Sequence, residues 1–116
     1  MNIFVLDKDP HLAALCLCDK HIPKMVTESA QLLASALVNN NCLRKLMPLT
    51  KSGTPYSGGY NNHPCAKWAS ESRGNFMWLT CHAMSLVMEF MERYEKLHAC
   101  TEPILQMGSL IAHIPS

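Results

Sequence analysis

Between residues 18 and 33 the chain reads CDKHIPKMVTESAQLL, where Asp19, Lys20, His21, Lys24, Glu28 and Gln31 interrupt the opening of an otherwise apolar helix. A carboxylate beside an amine and an imidazole supports general acid–base chemistry, and an amine of lowered pKa can attack an electrophilic carbon to form a Schiff base. Unpaired charge on a core-facing helix is costly, so these groups need a partner elsewhere in the chain or a ligand. A second row lies downstream: Trp68, Glu71, Asn75, Trp78 and His82 fall on one helical stripe that is aromatic and polar together. With Tyr56 and Tyr60, the tryptophans offer faces on which a base stacks. The combination suits a nucleotide or nucleic acid better than a lipid or a sugar polymer.

Each piece also has a plainer reading. Lys24 and Glu28 form an i, i+4 pair of the kind that decorates solvated helices. His63 before Pro64 is a natural helix cap, Asp19-Lys20-His21 an ordinary turn, and Glu71 with Asn75 the material of a structural hydrogen-bond network. His21, Glu28, His63 and Glu71 have the donor types of a zinc, manganese or iron site. No spacing among them specifies one, and neither a metal nor a cofactor is expected.

Positioning both rows requires two long helices side by side, so that the stripes line one cleft. Asp9 as cap and Pro10 in the first turn start a first helix through HLAALCLC, after a short extended arm NIFVLD. Pro23 opens the second, which runs to NNN with Met25, Leu32, Leu33, Ala36 and Leu37 as its apolar stripe. Residues 48–63 hold most of the glycine and form a long loop, a candidate lid or substrate-contact segment. A third helix starts at Asn62 or His63 and continues to about His98, packing through Cys65, Ala69, Ser72, Phe76, Leu79, Ala83, Leu86 and Phe90. Gly74 marks a bend or a close backbone approach. Glu102-Pro103 breaks the pattern before a short helix or apolar tail. The expected fold is all-α: a small single-domain helical bundle over residues 1–116.

Composition narrows the partners. Ten Lys and Arg against nine Asp and Glu leave a net charge of +1, which excludes a global basic field and makes any polyanion contact local. Six cysteines lack both a zinc-ligand spacing and a preceding secretory signal, so reduced, mostly buried thiols in a cytoplasmic protein are expected. Met77, Met84, Met88 and Met91 read as adaptable core packing. No apolar run approaches the roughly 20 residues that span a bilayer.

The segments MNIF..D.DP, CDKHIPKMVTESAQLL, NNHPCAKWASESRGNFMWL and RYEKLH together resemble a group of small proteins, mostly of phages, described as pyrimidine-dimer DNA glycosylases. The resemblance covers nearly all of the chain. It reaches the endonuclease V type of glycosylase through an acidic residue two before a histidine and a glutamate seven after it, here Asp19, His21 and Glu28. That resemblance implies base excision with a lyase step, an N-terminal α-amine as nucleophile and Glu28 as the acid–base. Asn2 is too large for efficient loss of the initiator methionine, so Met1 supplies the amine. Thr27 and Ser29 replace most of the basic side chains that flank the glutamate in the family. Lys20 and His21 are expected as electrostatic support, and Asp19, Lys24, Gln31, His63, Trp68, Glu71, Asn75 and Trp78 as substrate contacts. Related proteins continue past the position of Ser116 with a segment rich in Tyr, Arg and Lys, so the domain is read as open to extension there. The expected partner is DNA or a nucleotide in a host cytoplasm, with a second copy of the chain as another. The competing reading is a noncatalytic viral protein that sequesters a nucleotide or antagonises a host defence protein.

Overall fold

The computed structural model of the protein describes residues 8–15 and 20–116, all helix and loop among those residues. The arm expected over NIFVLD and the end of the first helix at Cys16–Cys18 lie outside them. Helix α1, Pro10–Leu15, begins as expected: the Asp9 carboxylate accepts the backbone N–H of His11 at 2.8 Å and of Leu12 at 3.1 Å. Helix α2, Ile22–Asn39, carries Pro23 in its first turn, where no N–H is needed. It ends at the asparagines, with Asn41 at φ 61°.

Along α2 the apolar residues outrun a single stripe: Val26, Ala30, Leu32, Leu33, Ala34, Ala36 and Leu37 are all fully buried. The reason is that α2 packs against α3, α4 and α5 at once. Each buried leucine contributes about 1.5–3 kcal/mol against leaving it in water, so α2 is the centre of the core.

The single helix expected from residue 63 to 98 is two. Helix α3, Pro64–Glu71, stops at Ser72, whose backbone is extended (φ −153°, ψ 156°), and helix α4, Arg73–Tyr94, starts there. Ser72 caps α4 by accepting the Asn75 N–H at 3.2 Å, and Asn75 in turn donates its side-chain amide to the Trp68 carbonyl at 2.8 Å. Orphaned groups at the end of one helix and the start of the next are thus met across the break. The bend therefore lies at Ser72; at Gly74 an added Cβ would meet nothing nearer than the Ser72 hydroxyl at 3.8 Å, so no backbone approaches there. The expected packing face holds, with Ala69, Phe76, Leu79, Ala83, Leu86 and Phe90 buried.

Two further expectations are corrected. Pro103 does not break a helix: it sits in the first turn of α5, Thr101–Gly108, which follows a left-handed Glu95 (φ 55°) at the end of α4. The α4 methionines are not core. Met77, Met88 and Met91 are 53, 57 and 46% exposed because they fall on the side of α4 facing away from α2, leaving only Met84 partly packed. Among the described cysteines, Cys42 and Cys100 are buried free thiols, as expected, whereas Cys81 is exposed on that same side of α4.

The long loop is strapped to α2. Gly58, at φ 86°, lies so close that a Cβ there would strike the Ser35 side chain and come within 2.7 Å of its Cα. The Ser35 hydroxyl also accepts the Tyr60 N–H at 3.2 Å, and Asn39 donates to the Asn61 carbonyl at 2.9 Å. At the other end of the chain, Arg73 gathers the carbonyls of Ala112 and Ile114 at 3.0 and 2.9 Å, which seats the buried Ile114 against the start of α4.

Candidate active site

Glu28 sits one turn into the body of α2 with its side chain only 15% exposed. Its one described ion-pair partner is the ammonium of Lys24, 3.9 Å away and itself 73% exposed. A mostly sheltered carboxylate beside a long, solvated ammonium is a loose pair, free to exchange that partner for another cation. Lys20 is exposed in the turn before α2, and His21 is half-buried at its start without capping it. Met1 and Asp19 lie outside the described residues.

Gln31, one turn beyond Glu28, opens into a cavity of about 560 Å³ between α2, the loop and the turn before α5. Thr27, Lys51, Tyr56, His98 and Cys100 share its lining, and no residue of α3 or α4 does. His98 is fixed as a neutral ring. Its Nδ1 accepts the Cys100 N–H at 3.0 Å, so its Nε2 carries the hydrogen and donates it to the Pro23 carbonyl at 3.3 Å. Burial pushes the imidazole below its ordinary value, and the ammonium groups of Lys51 and Lys96 push the same way, against the opposing Pro23 bond. Burial, reinforced by Cys100, pushes the Tyr56 phenol up to about 12, so it enters any chemistry as a neutral hydroxyl.

Lys51 and Lys96 both act on His98, and His98 is bonded to the residue before Lys24. With Lys20, these four exposed lysines form a local basic rim around the start of α2 on a molecule whose charges nearly cancel. Sequence reasoning missed Lys51, His98 and Cys100. The first is one lysine in a glycine-rich loop, and the other two fall in a turn without periodicity. Tyr56, Tyr60 and His63 had signalled that the loop carries recognition groups, and of these Tyr56 lines this cavity.

The second polar row goes elsewhere. Trp68 and Trp78 meet edge to face with ring centres 6.0 Å apart, and Trp78 stacks on His82 at 4.9 Å. The Trp78 indole N–H donates to the Lys8 carbonyl at 2.7 Å, and the wholly buried His82 donates from Nδ1 to the Pro10 carbonyl at 3.0 Å. This row therefore holds the segment around α1 onto α4, while Asn75 bridges the helix break. Glu71 is exposed. His63 caps α3, its Nδ1 accepting the Cys65 N–H at 3.1 Å, and it lines a separate hollow of about 480 Å³ with Tyr60 and Asn61. The cavity beside α2 thus brings Gln31 together with loop residues, and it does not collect His63, Trp68, Glu71, Asn75 or Trp78.

Among the described residues no three His, Cys, Asp or Glu side chains are placed to hold a metal ion, and no helix is long and apolar enough to cross a membrane. The family model described as pyrimidine dimer DNA glycosylase matches residues 1–102. No curated protein and no solved structure matches the chain.

Proposed function

Since the chain belongs to the pyrimidine dimer DNA glycosylase family, we propose that it excises a damaged pyrimidine from duplex DNA, with Glu28 as the acid–base. The observation that carries this reading is the family match together with the state of Glu28: a sheltered carboxylate whose only described ion pair is a loose one. In the proposed reaction an amine attacks the sugar C1′ and the bond from C1′ to the base nitrogen breaks. Its electron pair leaves with the base, which takes up a proton. Glu28 accepts the amine proton and returns it to the ring oxygen as the sugar opens to an imine. The α-amine of Met1 is the proposed nucleophile. Lys20 and His21 give electrostatic support, and the lysine rim takes the flanking phosphates. A lesion weakens stacking, which lowers the cost of extruding a nucleotide toward α2 and the cavity beside Gln31.

Borohydride reduction of the imine on ultraviolet-irradiated duplex tests the proposal. A covalent protein–DNA adduct is expected with the native chain, and Glu28→Gln should lower its rate of formation about 100- to 10,000-fold. A short N-terminal extension should abolish the adduct while Lys24→Met retains it; the reverse result would move the nucleophile to Lys24. The net charge of +1 favours one other reading, a noncatalytic nucleotide-binding protein, since a small ligand needs no extended phosphate footprint. Tight mononucleotide binding by calorimetry with no adduct on damaged duplex would support that reading and sink the glycosylase.

A further inference from the structure

Helix α4 buries one side against α2 and is flanked by α1 and α5, yet the middle of its outer side is apolar and, among the described residues, has no element packed on it. Met77, Cys81, Met84, Met88 and Met91 recur there at intervals of four, three, four and three residues, the spacing of a coiled-coil seam. Three of these methionines are about half exposed. From Met77 to Met91 the row spans about 21 Å on a molecule 35 × 32 × 22 Å, a large part of one face.

The ends of the row carry opposite charge. Arg73, exposed although its Nε and Nη2 donate to the Ile114 and Ala112 carbonyls, puts a positive charge at the start of the row; Glu92, in the last turn of α4, and Glu95, its left-handed cap, put exposed negative charge at the other end. A partner that meets this pattern offers the same seam in reverse: methionines in the middle, an acid opposite Arg73 and a base opposite Glu95. The chain itself offers that. Setting Met84 against its own symmetry mate places Met77 opposite Met91 of the second copy, Cys81 opposite Met88, and Arg73 opposite Glu95. Antiparallel pairing also opposes the helix dipoles favourably. A groove of about 600 Å³ between α1 and α4, lined by Leu15, Met88, Met91 and Glu92 among others, opens where Met77 of the second copy would arrive.

We propose that the protein forms an isologous dimer through the methionine row of α4, antiparallel about Met84. Flexible thioethers repack readily across such a seam, which accounts for methionine rather than leucine at exposed positions. The proposal is independent of the glycosylase reading.

Sedimentation velocity and light scattering on the full chain over a range of concentrations test it. The native protein should show a concentration-dependent dimer. Met88→Glu should be monomeric throughout with an unchanged circular dichroism spectrum, since Met88 supports no core. Glu95→Arg should raise the dissociation constant at least about tenfold, because it sets like charges against each other at the ends of the seam. Under mild oxidation Met88→Cys should give a disulfide dimer through Cys81 of the second copy, an outcome that does not depend on how the glutamate variant folds. A native chain that stays monomeric, a dimer that survives Met88→Glu or is unaffected by Glu95→Arg, or no cross-link would each overturn the proposal.

Discussion

His82 donates its Nδ1 hydrogen to the Pro10 carbonyl, and its Nε2 has no hydrogen-bond partner among the described residues, so the neutral ring fits the interior. Burial holds it below the ordinary histidine value, as it holds His98. Unfolding returns both to about 6.5, where the free chain binds protons that the native state refuses. Their contribution to stability is therefore complete above about pH 6.5 and is lost as pH falls through the window toward the depressed native values. A melting temperature followed from pH 7.5 to 5 should decline, and His82→Gln should flatten that decline while costing about 1–3 kcal/mol at neutral pH. Flat melting temperatures in the native chain would show that neither ring is held neutral. The stripe that contains His82 was legible from its spacing with the tryptophans. Its role was not, because the partner is a main-chain carbonyl 72 positions upstream, and a carbonyl leaves no mark in residue types.

At the next scale up, the junction between α3 and α4 rests on Ser72 as a cap and Asn75 as a bridge. Ser72→Ala should cost about 1 kcal/mol in urea unfolding, with an unchanged slope, since the cap hydrogen bond is lost without altering the surface exposed. The strap of the loop to α2 is more sensitive. Gly58→Ala forces a side chain into a left-handed position against the backbone of Ser35, so it should destabilise by more than about 1 kcal/mol and loosen the cavity wall formed by Lys51 and Tyr56. If that variant melts with the native chain, the loop does not rest on α2 as described. The helix starts at Pro10, Pro23 and Pro64 were all legible, because proline and its capping neighbour write a boundary directly into the sequence. The break at Ser72 was not. The periodic apolar face runs through it without a shift, and serine is as ordinary on a helix surface as at a cap. The same blindness to context made exposed methionines of α4 read as core, since spacing reports a face but not which face is covered.

For the molecule as a whole, charge is nearly balanced while the lysines at 20, 24, 51 and 96 gather at one rim. If those four meet phosphates, the logarithm of DNA affinity should fall with the logarithm of salt at a slope of about −3 to −4, and Lys51→Ala should reduce that slope by about one. A slope near zero would detach the rim from DNA binding. The two rows of polar residues that stood out in the sequence serve different ends of this molecule: the α2 row reaches the cavity through Gln31, and the α4 row fastens the segment around α1. Their residue types were legible; their divergence depended on the rotation of α4 about its axis, which its packing against α1 and α2 sets. The fastening has a spectroscopic corollary. Both tryptophans of the chain touch each other in that one corner, and one of them lies flat on a histidine, so tryptophan emission reports whether α1 is docked, whereas the fluorophore in the cavity wall is Tyr56. Ligand titrations at the cavity are best read by tyrosine emission or an extrinsic dye near residue 51, with tryptophan emission kept as the control for the docking of α1.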